Sequence, residues 1–253
     1  MPKNNRITSW SFSRYNTYRQ CPLKAKLKFI DKIPEPSSAA LDHGNKCHDL
    51  AERYIKGSLT RLPKELRFFA SLFRNLRKQY KKSINNMSCE DSWAFTKEWG
   101  ETVYNDWDNC WLRIKIDVAV EEAARKKGAE SSTLLIYDWK TGKFREENND
   151  QYAEQLDLYA LGVFLCEDYN HIDTVKAKLM YLDSGLEYPR TNTPLEDMLT
   201  FHRKDLPKLK KQWEQRTRGM LKDKSFKPLP NRFCQWCHYR KNNKENGGGQ
   251  CKF

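Results

Sequence analysis

Leu134-Leu135-Ile136-Tyr137-Asp138-Trp139-Lys140-Thr141-Gly142-Lys143 runs from apolar residues into an acid, an aromatic spacer, a lysine and a Thr-Gly stop. An apolar run cut off by a turn signal reads as a short buried strand. Alternate strand residues share a face, so Asp138 and Lys140 point the same way. Two charges at the end of a buried strand are costly to desolvate unless they act together. One joint task is for the carboxylate to hold a divalent cation while the lysine steers a water. Read alone, a bare Asp-x-Lys favours a strand-end surface ion pair. The company it keeps argues otherwise, and it is the only Asp/Glu-x-Lys in the chain.

At 253 residues the chain is long enough for one sizeable domain or two small ones, and one is the expectation. Mean hydropathy is −0.90, and no stretch approaches the roughly 20 apolar residues that span a bilayer. The opening residues Met1 to Arg6 lead into Ile7-Thr8-Ser9-Trp10 rather than an apolar run, so no signal peptide is expected. The formal net charge of +13 suits a polyanion, most simply DNA or RNA. Eight cysteines without an export signal point to a reduced compartment, with metal binding ahead of disulfides.

Residues 8–22 read as a short amphipathic helix stopped by Pro22, with Cys21 at its end. Leu41 to Gly57 reads as a second helix, placing His48 and Glu52 on one face; a surface His–Glu pair accounts for that spacing equally well. Pro63 to Lys82 is a basic helix with a stripe of Leu66, Phe69, Ala70, Phe73 and Leu76. Leu112 to Val120 alternates at period two, and Asp117 is the only acid on the face it shares with Arg113, Lys115 and Ala119. The polar stretch Glu121 to Ser132 reads as a connection that makes this strand and the Asp138 strand neighbours. Asp117 and Asp138 then converge, and two converging carboxylates repel unless a cation lies between them.

Gln151 to Leu165 reads as a buried helix with Gln155 and Tyr159 one turn apart. Thr174 to Leu182 reads as a strand that Gly185 to Arg190 could pair with, and Asp197 to about Asp223 as a long basic helix interrupted near Pro207. Lys241 to Gly249 is low in complexity and reads as a mobile loop. Cys234-x-x-Cys237 with Cys251 nearby is a metal-ligand spacing. The preferred fourth ligand is Cys21, and the rival is His238, which would make a structural zinc knuckle. Cys234-x-x-Cys237-His238 also matches a c-type haem string, which a basic chain with no visible export signal argues against.

The ordered set resembles the PD-(D/E)XK nuclease superfamily, specifically its RecB-like branch with an iron–sulfur cluster. That branch includes a CRISPR-associated adaptation nuclease and the nuclease domains of recombination helicases. The resemblance rests on Cys21-Pro22, Gly44-x-x-x-His48-x-x-x-Glu52, Ile116-Asp117, Ile136-x-Asp138-Trp139-Lys140-Thr141-Gly142, Gln155-x-x-x-Tyr159 and the closing cysteines. It implies an α/β, restriction-endonuclease-like fold: a central mixed sheet flanked by helices, one domain over residues 1–253, with the termini joined by the cluster.

It implies further that His48, Asp117, Asp138 and the carbonyl of Trp139 hold Mg²⁺ or Mn²⁺, while Lys140 orients or deprotonates the attacking water. Gln155 and Tyr159 would position DNA, and Cys21, Cys234, Cys237 and Cys251 would ligate a [4Fe-4S] cluster. No proline precedes Asp117, and the gap from Cys237 to Cys251 is long. The expected activity is DNA hydrolysis, most simply single-strand exonuclease action in recombination, replication or repair. A structure-specific or nicking endonuclease and a DNA-binding adaptor with a vestigial site are the alternatives. The expected partners are single-stranded DNA ends and replication or recombination proteins, with no membrane, in the cytoplasm of a bacterial or phage-infected cell.

Overall fold

The computed structural model describes residues 5–83, 86–122, 132–189, 198–243 and 248–253. Most of the Glu121–Ser132 connection and the middle of the Lys241–Gly249 stretch lie outside these residues. The centre is a seven-stranded mixed sheet in the order β2-β1-β3-β4-β5-β6, with β7 also pairing β5. Its strands are β1 (Met87–Phe95), β2 (Glu101–Thr102), β3 (Leu112–Glu121), β4 (Ser132–Lys140), β5 (Ile172–Tyr181), β6 (Leu186–Tyr188) and β7 (Leu199–His202). Among the described strands only β4 and β5 pair in parallel. That parallel pair needs a crossover, which α5 (Asn149–Leu165) supplies.

The remaining helices follow local signals. Ser11 caps α1 (Phe12–Gln20) by accepting from the Arg14 amide, and Pro22 opens α2 (Pro22–Phe29), so Cys21 sits at the corner between them. Ser38 caps α3 (Ala39–Ile55), and Gly57 follows at φ +92°, a left-handed turn that glycine adopts without strain. A 3-10 turn over Lys64–Phe69 leads into α4 (Ala70–Lys82). Among the described residues no helix is long and apolar enough to cross a membrane.

Both faces of the sheet are covered. One core joins α1, α5 and α6 (Leu206–Lys222) to Ile114, Ile116, Ile136 and Ala177; the other joins α3 and α4 to Val118, Val120, Trp139 and Met180. Along β3 the buried side changes at Asp117. Leu112, Ile114 and Ile116 serve the first core, whereas Val118 and Val120 serve the second. Strict period-two reading put Ala119 beside Lys115; it packs instead with Ile116 in the first core. The segment 198–223 also departs from a single long helix. Its first residues extend as β7, and Pro207 starts α6 instead of interrupting it, because proline fits a first helical turn.

The first core closes around a polar pin. Trp10 stacks on Trp213 with ring centres 5.2 Å apart, and the Trp213 indole donates to buried Asp157 at 2.6 Å. Arg216 donates to the other Asp157 oxygen at 2.8 Å. Burial pushes the Asp157 carboxyl up to about 6 despite this guanidinium. Trp213→Phe keeps an aromatic ring but leaves one Asp157 oxygen without its donor, and should destabilise the fold by about 1–3 kcal/mol. Urea denaturation measures this, and an unchanged midpoint would mean that the pin carries no stability.

Candidate functional site

The pairing registers bring three acids into one row. In β1–β3, Cys89 pairs Val118 and Asp91 pairs Ile116, so Glu90 falls opposite Asp117. In β3–β4 the ladder ends at Val118 and Tyr137, and one step further the same register sets Asp117 opposite Asp138. Glu90, Asp117 and Asp138 therefore run across three adjacent strands where the ladder is interrupted. Glu90 is held at φ +57°, a left-handed conformation costly for a side-chain-bearing residue. The turnover in buried side seen on β3 recurs here on β1: Met87 serves the second core, whereas Trp93 and Phe95 serve the first.

His48 reaches the row from α3. Its Nδ1 lies 3.1 Å from Asp117 Oδ1 and 3.5 Å from Glu90 Oε1, and the three side chains offer ligand atoms all within 4.8 Å of one another. Asp117 Oδ2 accepts from the Trp139 amide at 2.6 Å. Lys140 Nζ is 2.5 Å from Asp138 Oδ2, and Lys115 Nζ is 2.7 Å from Glu90 Oε2. Asp138 is only 3% exposed. Its Oδ1 accepts from Gln155 Nε2 at 3.3 Å and from the Tyr159 hydroxyl, while Gln155 also donates to that hydroxyl oxygen at 2.6 Å. Glu90, Lys115, His48, Asp117 and Asp138 line one cavity of about 590 Å³ with residues of α3.

The electrostatics follow from crowding acids in a buried place. Burial first, and then the Asp138 carboxylate, push the Asp117 carboxyl above the usual carboxylate range in spite of His48 and Lys140. Burial alone would favour neutral His48, but bonds to Asp117 and Glu90 outweigh it and raise the imidazole to about 10. A cation in this cavity would be drawn by the same negative potential. Among the described residues two buried oxygens, Glu90 Oε1 and Asp138 Oδ2, have no hydrogen-bond partner, although His48 Nδ1 lies 3.5 Å from the first and Lys140 Nζ 2.5 Å from the second as ion pairs. Unsatisfied carboxylate oxygens beside an imidazole suit a hard or borderline divalent cation.

The structure thus brings His48, Asp117, Asp138, Lys140 and the Trp139 backbone together. Tyr159 lines the cavity but is only 4% exposed, with its hydroxyl on Asp138, and with Gln155 it fixes that carboxylate. Glu52 pairs with Lys56 at 2.6 Å rather than with His48. Glu90 and Lys115 were missed as site residues. Ser88-Cys89-Glu90-Asp91-Ser92 lacks an apolar alternation, and only the register to β3 reveals where Glu90 falls.

The four cysteines meet elsewhere. Cys21, Cys234, Cys237 and Cys251 all line a cavity of about 140 Å³ between α2 and the C-terminal segment. Amides of Leu229 and Asn231 donate to the sulfurs of Cys21 and Cys234 at 3.5 and 3.3 Å. Four thiolates on one zinc would sit about 3.8 Å apart; among the described residues no three of these donors gather within 4.8 Å. His238 lines the next groove rather than this cavity, and its Nε2 is buried without a hydrogen-bond partner among the described residues. Four cysteine sulfurs on one cavity are a donor set that suits an iron–sulfur cluster or a thiolate-rich zinc site.

Residues 9–241 match a family model described as the PD-(D/E)XK nuclease superfamily. No curated protein matches the chain. The strained Glu90 backbone gives a test that needs no activity. Glu90→Gly and Glu90→Ala both remove the carboxylate, but only glycine relaxes at a positive φ. The glycine variant should be the more stable by about 1 kcal/mol in denaturant titration; equal stabilities would mean that position 90 carries no backbone strain.

Proposed function

The chain belongs to the PD-(D/E)XK nuclease superfamily, and from that premise we propose that it is a divalent-metal-dependent DNA nuclease of the RecB-like, iron–sulfur branch. What carries the reading is the row Glu90–Asp117–Asp138, closed by His48 on one side and Lys140 on the other. Asp117, Asp138 and His48 would hold Mg²⁺ or Mn²⁺, with the Trp139 carbonyl and Glu90 completing the set. The ion would supply positive charge at the scissile phosphate and lower the pKa of a bound water toward neutrality. Lys140 orients that water and balances charge on the phosphate. Tyr159 and Gln155 tie one Asp138 oxygen, while Lys140 Nζ faces the other at 2.5 Å. The Trp139 amide likewise ties one Asp117 oxygen.

The preferred substrate is a single-stranded DNA end, cut exonucleolytically in recombination, replication or repair in the cytoplasm. Support comes from a groove beside the site. Lys32, together with Lys24 and Lys28 that both pair with Glu35 of the same groove, lines it with Trp236, and it meets the acidic cavity at Leu41, which lines both. Trp236 is 73% exposed. Cations along a strand path with an exposed ring suit unpaired bases, whereas duplex would first have to be separated. The chain acts as one domain, its ends stapled by a [4Fe-4S] cluster on Cys21, Cys234, Cys237 and Cys251.

Asp138→Ala and Lys140→Ala should each reduce cleavage of an end-labelled single strand at least a thousandfold while DNA binding persists, and EDTA should do the same to the wild type. Robust cutting by purified Asp138→Ala would remove this site from the reaction, and rapid cutting of circular single strands would replace exonuclease with endonuclease.

Protein purified without oxygen should contain iron and acid-labile sulfide, and Cys21→Ser should lower its stability more than Cys89→Ser, because metal binding is coupled to folding. Stoichiometric zinc without iron would instead favour the mononuclear knuckle.

A further inference from the structure

A second set of metal-ligating side chains lies outside the acidic row. His43 and Cys47, one turn apart on α3, converge with Asp183 from the turn after β5, and one ligand atom of each lies within 4.8 Å of the others. His43 Nε2 is 2.8 Å from Asp183 Oδ1, and Cys47 Sγ is 3.8 Å from His43 Nε2. Around tetrahedral zinc, bonds of about 2.3 Å to sulfur and about 2.0–2.1 Å to nitrogen or oxygen set S···N near about 3.5 Å and N···O near about 3.3 Å. The His43–Asp183 and Cys47–His43 pairs each need a shift of at most about half an ångström to reach those values. His43 and Asp183 are part exposed while Cys47 is fully buried, so an ion would enter from the solvent side and find the thiol at the floor.

We propose that His43, Cys47 and Asp183 form a separate site for a borderline-soft divalent cation of the zinc type, with a water in the fourth position. The donor types decide the class. A thiolate and an imidazole favour zinc over magnesium or calcium, whereas the acidic row offers mainly hard oxygens. A carboxylate–imidazole tie alone would need no thiol, yet Cys47 projects to the same point. The site reaches the acidic row through two short links. Cys47 precedes His48 on α3, and the second Asp183 oxygen accepts from the Gly142 amide at 2.6 Å, two residues beyond Lys140. Zinc here fastens the helix carrying His48 to the loop that follows Lys140.

Cobalt(II) is the probe, because its thiolate charge-transfer absorption appears only with a cysteine ligand. Protein carrying its cluster should develop this absorption with about one equivalent of Co²⁺, and one equivalent of Zn²⁺ should displace it. Cys47→Ala should abolish the absorption. His43→Ala, a change at a part-exposed residue that leaves the core intact, should weaken binding by more than the 10–100-fold typical of losing an outer partner. His48→Ala, which alters the acidic row, should retain it. No absorption in the wild type, or an equal absorption in Cys47→Ala, would overturn the assignment. Since the readout is metal binding without DNA, its failure leaves the nuclease reading standing, and an inactive acidic row leaves this site standing.

Discussion

Three carboxylates pressed into one buried row are the constraint to which the surrounding structure responds. At an effective dielectric of about 20, two unit charges 4 Å apart interact by roughly 4 kcal/mol, so a row of three cannot remain ionised without compensation. The protein compensates in part with Lys115, Lys140 and a His48 whose imidazole is pushed strongly toward its charged form. It also fixes one oxygen each on Asp117 and Asp138 with neutral donors, the Trp139 amide and the Tyr159–Gln155 pair. Among the described residues Glu90 Oε1 and Asp138 Oδ2 meet only His48 and Lys140, as ion pairs without a hydrogen bond, and these are the oxygens a divalent cation would satisfy.

The row can exist only because the sheet changes its buried side there. Left of it, in chain terms, β3 feeds the core under α5 and α6; right of it, β3 feeds the core under α3 and α4. Glu90 marks the same change on β1 with a left-handed backbone. This interruption lets groups from both faces reach one point: His48 from α3 on one side, Tyr159 and Gln155 from α5 on the other. A regular strand would have sent the acids and the histidine to opposite faces.

The chain ends are held by a different set of contacts. Asn231 donates to the Gln20 carbonyl at 2.8 Å and Tyr239 to that of Ile33 at 3.0 Å, which lays the C-terminal segment along α1 and α2. The four cysteines are gathered by this packing into one cavity. Whatever they bind would add to an existing closure, and α2 would then connect that closure to the groove beside the acidic cavity through Lys24 and Lys28.

Local sequence was sufficient wherever the signal is a period or a stop. The β4 strand, the Asp138–Lys140 pairing, the buried α5 and the α3 helix before Gly57 follow from apolar runs, alternation and glycine, which act within a few residues. The neighbouring placement of Asp117 and Asp138 could be inferred because β3 and β4 are consecutive strands. Glu90 could not, since its place depends on which residue of β3 it faces, and that register is set by side chains far apart in the chain. Nor could the task of Tyr159: helical spacing places it with Gln155, but only the packing of α5 on the sheet turns its hydroxyl onto Asp138 and hides its ring. The same holds for Pro207 and β7, where the free edge of β5 recruited residues whose local composition reads as helix. The sequence alone determined most of the elements and most of the reactive residue types; the tertiary structure decided which of them meet, because strand register and helix docking are settled by burial across the whole sheet.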